Sequence, residues 1–175
     1  MTMLELEKTY LLKEIPKWLS KYPHKDLLDI YIPFESDHAH VRIRKNGESM
    51  VIMKKELTNP NDLSSQQESV IHLTHKEFSA LSQVPWKRIH KHRYYIPYKG
   101  ITLEVDVFLE ALSGLILVDA EFTDEETKNN FQMPEFCLCE VTQDVEFAWG
   151  LLCGKNYNDI SKKLTSLWYK KLYIE

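Results

Sequence analysis

The segment Leu4–Thr9 alternates apolar and polar residues, and this alternation constrains the fold more than any other feature of the sequence. Successive side chains of a β-strand point to opposite faces, so Glu5, Glu7 and Thr9 share one face and the intervening residues share the other. Two carboxylates in line on one face repel each other, and burying them is costly unless positive charge lies opposite. We therefore expect these two glutamates to bind a positive group.

The same spacing, a charge at every second position with apolar residues between, recurs in later segments. One such strand is typical of a half-exposed sheet whose polar face meets water. Here, however, the charges are segregated, acidic in the first and late segments and basic in the middle ones, whereas a solvated face usually mixes them. This segregation favours a charged face that is turned inward. The later pairs are Arg42 and Arg44, Lys91 and Arg93, Glu104 and Asp106, and Asp119 and Glu121.

The order of predicted elements indicates an α+β protein with antiparallel strands. Asn46-Gly47 is a strong hairpin signal, and Thr74 with Glu77 forms a capping box that begins a helix. Residues 58–65 are polar and contain a proline, which favours a loop. The predicted strands are 3–12, 26–33, 40–45, 50–55, about 67–73, 86–96, 101–109 and 115–122, with 137–142 as one more; the predicted helices are 15–19, 74 to about 82, a short one opened by Thr123 and Glu126, 144–152 and 158 to about 171.

Length and charge limit the possible classes of protein. A chain of 175 residues is most simply a single domain, and its net charge of −4 argues against a general nucleic-acid binder without excluding a local basic site. We expect no binding to a nucleic-acid duplex. No apolar run approaches the length of a membrane span, and charged, strand-like sequence follows Met1 at once. A cytoplasmic protein without a membrane partner is therefore predicted.

Closing about eight strands with helices packed outside gives a β-barrel whose interior holds side chains or one small ligand. An interior with acids on one wall and arginine or lysine on the other suits a polyanion together with its divalent metal ion. Carboxylate oxygens bind Mg²⁺ or Mn²⁺, and guanidinium and ammonium groups bind phosphate oxygens. The fold class predicted is thus α+β, a closed antiparallel β-barrel (tunnel) of about eight strands with helices packed outside.

These pairs, in this order along the chain, resemble the CYTH superfamily, the triphosphate tunnel metalloenzymes. Lys54-Lys55 and the later Glu140-Val141-Thr142, followed by a helix, add to the resemblance. It extends from Met3 to about Lys155, with the last helix, about 158–171, as an appendix to a single domain spanning 1–175. The resemblance implies a tunnel that binds a small triphosphate with Mg²⁺ or Mn²⁺, as in inorganic and thiamine triphosphatases, class IV adenylate cyclases and RNA triphosphatases.

Roles follow from the resemblance position by position. Glu5, Glu7 and Glu121 would hold metal with the help of Asp119. Phosphate would be bound by a basic wall, and further acids would orient the basic groups or hold a second metal. The basic wall comprises Arg42, Arg44, Lys91, Arg93 and one of Lys54 or Lys55, and the supporting acids are Glu68, Glu104 and Asp106.

The chain departs from the family pattern at two positions. The family signature Glu-x-Glu-x-Lys has Thr9 in its fifth position here, and Gln66 stands ahead of Glu68 where the family often has an arginine. Thr9 is expected to help hold an attacking water. The first function predicted is a metal-dependent hydrolase of a small triphosphate. The alternatives are a class IV-type cyclase that converts ATP to cyclic AMP, and a non-catalytic polyphosphate- or nucleotide-binding module, which the two departures motivate.

Overall fold

The computed structural model describes residues 2–36, 40–83 and 87–174. Within these ranges the chain forms nine strands, and the predicted start of one strand at Trp86 lies outside them. The strands are β1 (Thr2–Leu12), β2 (His24–Ile32), β3 (Val41–Asn46), β4 (Ser49–Asn59), β5 (Asp62–His72), β6 (Lys87–Tyr98), β7 (Ile101–Phe108), β8 (Ile116–Phe122) and β9 (Cys137–Glu140).

Eight of the strands close into an antiparallel barrel, as the sequence predicts. Their order is β5-β4-β3-β2-β6-β7-β8-β1, and the ring closes because β1 also pairs with β5. One edge of β1 is divided between two partners. Residues 2–6 pair with β5, and residues 10–12 pair with β9. The backbone around Glu7 and Thr9 therefore lies at a gap between β5 and β9.

The period-2 alternation of β1 separates two environments. Leu6, Tyr10 and Leu12 are buried in an apolar cluster on the outer side of the barrel, together with Trp18 and Phe136 from the segments that cover it. Glu5, Glu7 and Thr9 face the barrel interior. The outer packing fixes the register of the strand, because a slip by one residue would exchange the two faces.

A second apolar cluster fills one end of the barrel, which we call the apolar end. Several strands supply an inward-facing apolar residue two positions before or after an inward-facing polar or charged one, as Leu11 follows Thr9 on β1. The C-terminal helices pack against these residues with Phe147, Ile160 and Leu164. The strand residues of this cluster are Leu11, Tyr31, Ile89, Phe108 and Leu117.

Four α-helices accompany the barrel in the part of the chain that the structure describes. The first begins with the predicted capping box, in which Thr74 and Glu77 bond each other's backbone N–H groups. The C-terminal helix ends earlier than predicted, because Trp168 adopts a positive φ of 61° soon after its last residue. No helix in the described ranges is long and apolar enough to cross a membrane. The helices are α1 (His75–Leu81), α2 (Glu125–Asn130), α3 (Trp149–Leu152) and α4 (Tyr157–Ser166).

Three local predictions were wrong. Most of 58–65 is strand, because β4 and β5 continue as a hairpin beyond the barrel, and Pro60 occupies the two-residue turn between the paired residues Asn59 and Asp62. A 3₁₀ helix at Leu19–Lys21 replaces the helix predicted at 15–19. Helix α2 is capped by Asp124, whose side chain accepts from the backbone N–H of Thr127, and not by the residue before it.

Candidate active site in the barrel interior

The acidic side of the interior begins on β1. Glu7 is buried, and one of its carboxylate oxygens, Oε1, accepts a hydrogen bond of 2.9 Å from Gln66 Nε2 on β5. Glu5 forms an ion pair with Lys55 of β4. Burial works against ionisation of Glu5, but Lys55 and the nearby arginines outweigh it and lower its pKa. Burial and the charge of Glu5 instead raise the pKa of Glu7.

Strands β7 and β8 extend this acidic side around the barrel. Antiparallel pairing places Asp119 directly across from Thr9 on one side and from Glu104 on the other, while Glu121 lies across from Glu7. Burial, followed by the charges of Glu7 and a further aspartate on β7, raises the pKa of Asp119 well above its ordinary value. Solvent in the cavity reaches Glu121, yet partial burial and the neighbouring carboxylates raise its pKa to about 7.

Thr9 has a defined hydrogen-bonding role on this wall. Its Oγ1 donates to Asp119 Oδ1 at 2.7 Å, and its backbone N–H donates to Thr142 Oγ1 at 3.1 Å. The Thr142 hydroxyl in turn donates to Glu140 Oε1 at 2.7 Å. The contact joins β1 to the segment after β9, so Thr142 helps to fix the backbone at the gap beside Thr9.

The first half of the basic wall comes from β3 and is held by an aspartate on β2. Asp29 is fully buried and accepts two hydrogen bonds from Arg44, at 2.6 and 2.8 Å. Arg42 lies 3.7 Å from the same carboxylate and donates from Nη1 to the Tyr31 hydroxyl at 3.0 Å. Burial opposes ionisation of Asp29, but the two arginines outweigh it and hold its pKa far below its ordinary value.

The second half of the basic wall comes from β6 and is held by Asp106 on β7. Arg93 donates from Nε and Nη2 to the two oxygens of Asp106, at 2.7 and 2.5 Å, and also forms an ion pair with Glu104. Lys91 donates to Asp106 at 2.8 Å, and both of these side chains have no solvent exposure. Burial and the charge of Arg93 lower the pKa of Lys91 to about 7.

The two consecutive lysines of β4 point in opposite directions. Lys55 faces the interior, where it meets carboxylates of β1 and β5. Lys54 lies on the outer face, where half of its side chain is exposed and its Nζ binds Glu56 at 2.8 Å. The candidate assignment of Lys54 to phosphate binding is therefore wrong, because the alternation of the strand turns it away from the ligand cavity.

Two cavities that share residues run through the charged interior. The first, of about 130 Å³, is almost wholly charged and extends from Glu5 and Glu121 towards Tyr95 and Asn46. The second, of about 90 Å³, opens at the gap between β5 and β9 and has a partly apolar lining that includes Tyr31 and Phe147. The residues that line both cavities are Glu7, Arg42 and Lys55.

The sequence analysis missed several residues that shape this site. Asp29 supports both arginines of β3, but it is a single charge without a partner two positions away, so the paired-charge pattern does not detect it. Two features could have identified Asp29, namely its position two residues before Tyr31 and its pairing with Arg44 on the neighbouring strand. Lys91, which the resemblance assigns to phosphate, is instead buried behind Arg93 against Asp106. Other residues missed are Tyr31, Asn46 and Tyr95.

The chemistry of the interior fits a divalent cation. Six carboxylates and four cationic side chains line the charged cavity among the described residues, an excess of two negative charges. Burial, followed by the charges of other carboxylates, raises the pKa values of Glu7, Asp119 and Glu121, so added positive charge would favour their ionised forms. Their oxygens are the ligands that Mg²⁺ and Mn²⁺ prefer. No group of three or more acidic, histidine or cysteine side chains in the described ranges is yet close enough to hold a metal ion.

Comparisons with known proteins connect this arrangement to an enzyme class. The chain is 31% identical over 150 residues to an inorganic triphosphatase of Nitrosomonas europaea, covering 83% of this chain and 93% of that protein. It is 30% identical over 133 residues to an inorganic triphosphatase of Acetivibrio thermocellus, covering 75% and 82%. The crystal structure of an inorganic triphosphatase superposes with a TM-score of 0.61 at 25% identity, over 85% of this chain and 93% of that one. No protein-family model matches the chain.

Proposed function

The chain belongs to the CYTH superfamily, among relatives that are inorganic triphosphatases, and on this premise we propose that it hydrolyses inorganic tripolyphosphate with Mg²⁺ or Mn²⁺. The broader assignment, a triphosphate hydrolase, rests on the relatives. The substrate and metal rest on one observation. Acids from β1 and β8 and arginines from β3 and β6 line a single cavity of the barrel interior, which offers opposite walls to metal and phosphate.

The cationic side chains that buried aspartates hold in place are suited to bind phosphate. Asp29 positions the arginines of β3, and Asp106 positions Arg93. Arginine side chains held in this way offer N–H groups to phosphate oxygens with little loss of conformational entropy on binding. Arg42, Arg44 and Arg93 would thus bind the three phosphates along the cavity, and Lys55, which lines the same cavity, would add a fourth positive charge.

The metal-binding role belongs to the opposite wall. Glu5, Glu7 and Glu121 would hold Mg²⁺ or Mn²⁺ with the help of Asp119, and Glu104 and Glu68 would support the charges around them. Bound there, the ion would supply positive charge to the phosphoryl group being transferred. Gln66 donates to Glu7 and so orients one of these carboxylates.

Thr9 is suited to hold the attacking water. Its hydroxyl hydrogen is committed to Asp119, which leaves oxygen lone pairs that can accept a hydrogen bond from water in the cavity. The water attacks the terminal phosphorus in line with the bridging oxygen, the bond to that oxygen breaks, and the proton that the water loses passes to a phosphate oxygen of the products. The arginines neutralise the charge that develops on the leaving pyrophosphate. The products are orthophosphate and pyrophosphate.

The test is release of orthophosphate from tripolyphosphate by the purified protein. We expect turnover with MgCl₂ or MnCl₂ and none with EDTA, and a loss of at least about 100-fold in Glu5→Gln and Glu7→Gln because each removes a ligand charge. The matched control is Glu56→Gln, which lies outside the barrel on β4 and is expected to retain wild-type activity.

Two results would overturn the proposal. One is a folded protein that releases no phosphate from tripolyphosphate with either metal, whether or not it hydrolyses ATP or thiamine triphosphate. The other is formation of cyclic AMP and pyrophosphate from ATP, which would identify a cyclase. Binding of tripolyphosphate in calorimetry without any hydrolysis would identify a non-catalytic binding module.

A further inference from the structure

Lys55 occupies the centre of the acidic wall. Its ammonium group pairs with Glu5 Oε2 and lies 3.8 Å from Glu7 Oε2 and 3.7 Å from Glu68 Oε2. The side chain is only 14% exposed, so this ammonium neutralises carboxylates within the barrel and does not form a surface pair. All the ion pairs of Lys55 within the described ranges go to this acidic group.

The arginines of the basic wall differ from Lys55 in their support. Arg42 is held by Tyr31 and Asp29, and Arg93 is held by Asp106, all outside the acidic wall of β1. None of these contacts involves Glu5 or Glu7, and neither does the further ion pair of Arg93 with Glu104. Lys55 has a flexible four-carbon stem, and its partners are the carboxylates that the proposed function assigns to metal or to the support of metal.

A divalent cation competes with the Lys55 ammonium group for Glu5 and Glu7. A metal ion needs carboxylate oxygens at about 2.0–2.2 Å, and an ammonium group on the same oxygens would lie within a few ångströms of a double positive charge.

We propose that Lys55 is an internal counterion that metal must displace from Glu5 and Glu7, and that the displaced ammonium group then binds the phosphate chain. This inference rests on the proposed function, since it assumes metal at these carboxylates. Lys55 lines both cavities and lies beside Arg42, so a change of its side-chain torsions moves the ammonium group from the acidic to the basic wall. Metal binding to the ligand-free protein is therefore opposed by Lys55, and metal binding and phosphate binding are coupled through it.

The test measures metal affinity directly, without turnover. MnCl₂ is titrated into metal-free protein, and free Mn²⁺ is followed by electron paramagnetic resonance for the wild type, Lys55→Met and Lys54→Met. Methionine keeps most of the side-chain length and removes the charge. We expect Lys55→Met to bind Mn²⁺ at least about tenfold more tightly than the wild type, because no ammonium group has to leave. The neighbouring Lys54→Met, on the outer face, is expected to match the wild type within about twofold.

The second measurement is calorimetric binding of tripolyphosphate in EDTA, where Lys55→Met is expected to bind at least about tenfold more weakly than the wild type. Circular dichroism and urea unfolding verify that each variant is folded, and Lys55→Gln replaces Lys55→Met if the latter does not fold. Unchanged or weaker Mn²⁺ binding in the folded Lys55 variant overturns the inference, even when the wild type hydrolyses tripolyphosphate. If neither protein binds Mn²⁺ and the wild type shows no turnover, the proposed function fails as well.

Discussion

Thr9 and Asp119 lie directly across the β1–β8 ladder, and the threonine hydroxyl donates a 2.7 Å hydrogen bond to the aspartate. The pattern of the superfamily places a lysine at this position of β1. A neutral hydroxyl thus supports a buried carboxylate whose pKa is raised well above its ordinary value. The acidic wall of this protein therefore carries one positive charge fewer than the family pattern would give it.

Replacing Thr9 by valine tests this contact. Thr9→Val keeps the branched shape but removes the donor to Asp119 and the proposed acceptor for water. We expect kcat to fall about tenfold with a smaller change in KM, and the free energy of unfolding to fall by about 1–3 kcal/mol. Steady-state kinetics and urea unfolding measure both. Thr102→Val, exposed on β7, is the control and is expected to change stability by less than about 0.5 kcal/mol. Wild-type kcat in Thr9→Val would exclude the role in holding water.

Gln66 supports Glu7 through a hydrogen bond of 2.9 Å. Gln66→Leu removes the donor at nearly constant volume and leaves the carboxylate free to rotate. Loss of such a support for a metal ligand typically weakens metal binding by about 10–100-fold, and we expect the Mn²⁺ affinity of Gln66→Leu to fall within this range. Calorimetry with MnCl₂ makes the measurement, and the neighbouring Gln67→Leu, which projects to the other face of β5, is the control. Equal affinities for Gln66→Leu and the wild type would show that Gln66 does not orient a metal ligand.

Asp29 neutralises two buried arginines, and its replacement is expected to be costly. Asp29→Asn leaves Arg42 and Arg44 without their carboxylate, which should lower the free energy of unfolding by about 3–5 kcal/mol and raise KM for tripolyphosphate. Asp26→Asn is a matched control on the same strand, because its pair with His90 is exposed and should contribute less than about 1 kcal/mol. Urea unfolding at pH 7.5 compares the two. Equal losses in both variants would contradict the structural role of Asp29.

Glu121 is expected to give the metal-free protein a pH dependence. Its pKa in the folded state, about 7, lies above its ordinary value of 4.5, so its contribution to stability is complete below pH about 4.5 and is lost as the pH rises through about 7. The glutamine of Glu121→Gln cannot ionise, so this variant does not lose that contribution to stability as the pH rises. The stability of Glu121→Gln relative to the wild type should therefore increase between pH 4.5 and 7 and then level off. Urea unfolding in EDTA at several pH values measures this difference.

Two comparisons make the assignment to Glu121 specific. Glu135→Gln removes an exposed carboxylate and should show no such increase relative to the wild type. Addition of MnCl₂ should restore much of the stability that the wild type loses near neutral pH, because metal binding favours the ionised carboxylate. A pH-independent difference between Glu121→Gln and the wild type would contradict the raised pKa.

The alternation of charged and apolar residues predicts most of the barrel. On β1, β7 and β8 the outer face is apolar, so the period of two leaves only one face for the acids and sets the register of each strand. The eight-strand closure and the inward orientation of the charged pairs follow from this pattern. The hairpin at 58–65 escaped detection because its residues are mostly polar and include a proline, so that even its buried positions, Ser64 and Ser65, resemble a loop in sequence.

The division of roles among lysines could not be predicted from composition. Lys54 and Lys55 are chemically equal, and only the pairing of Lys55 with Glu68 across β4 and β5 decides which one faces the ligand cavity. Lys91 and Arg93 lie on the same face of β6, but Lys91 lies closer to the apolar end of the barrel, where it donates a hydrogen bond to Asp106. Depth along the barrel axis depends on the relative stagger of neighbouring strands, and a sequence pattern within one strand contains no information about that stagger.

The apolar end of the barrel links the tail of the chain to the electrostatics of the interior. Lys91 lies between the charged cavity and this end, with its ammonium group 5.7 Å from the centre of the Phe108 ring. Ile160 and Leu164 of α4 keep water from that side. Loosening of α4 would hydrate Lys91 and Asp106, weaken the hydrogen bonds between Asp106 and Arg93 and so weaken phosphate binding by that arginine. Destabilisation of the last helix would then lower the activity of the enzyme without changing any residue that contacts its substrate.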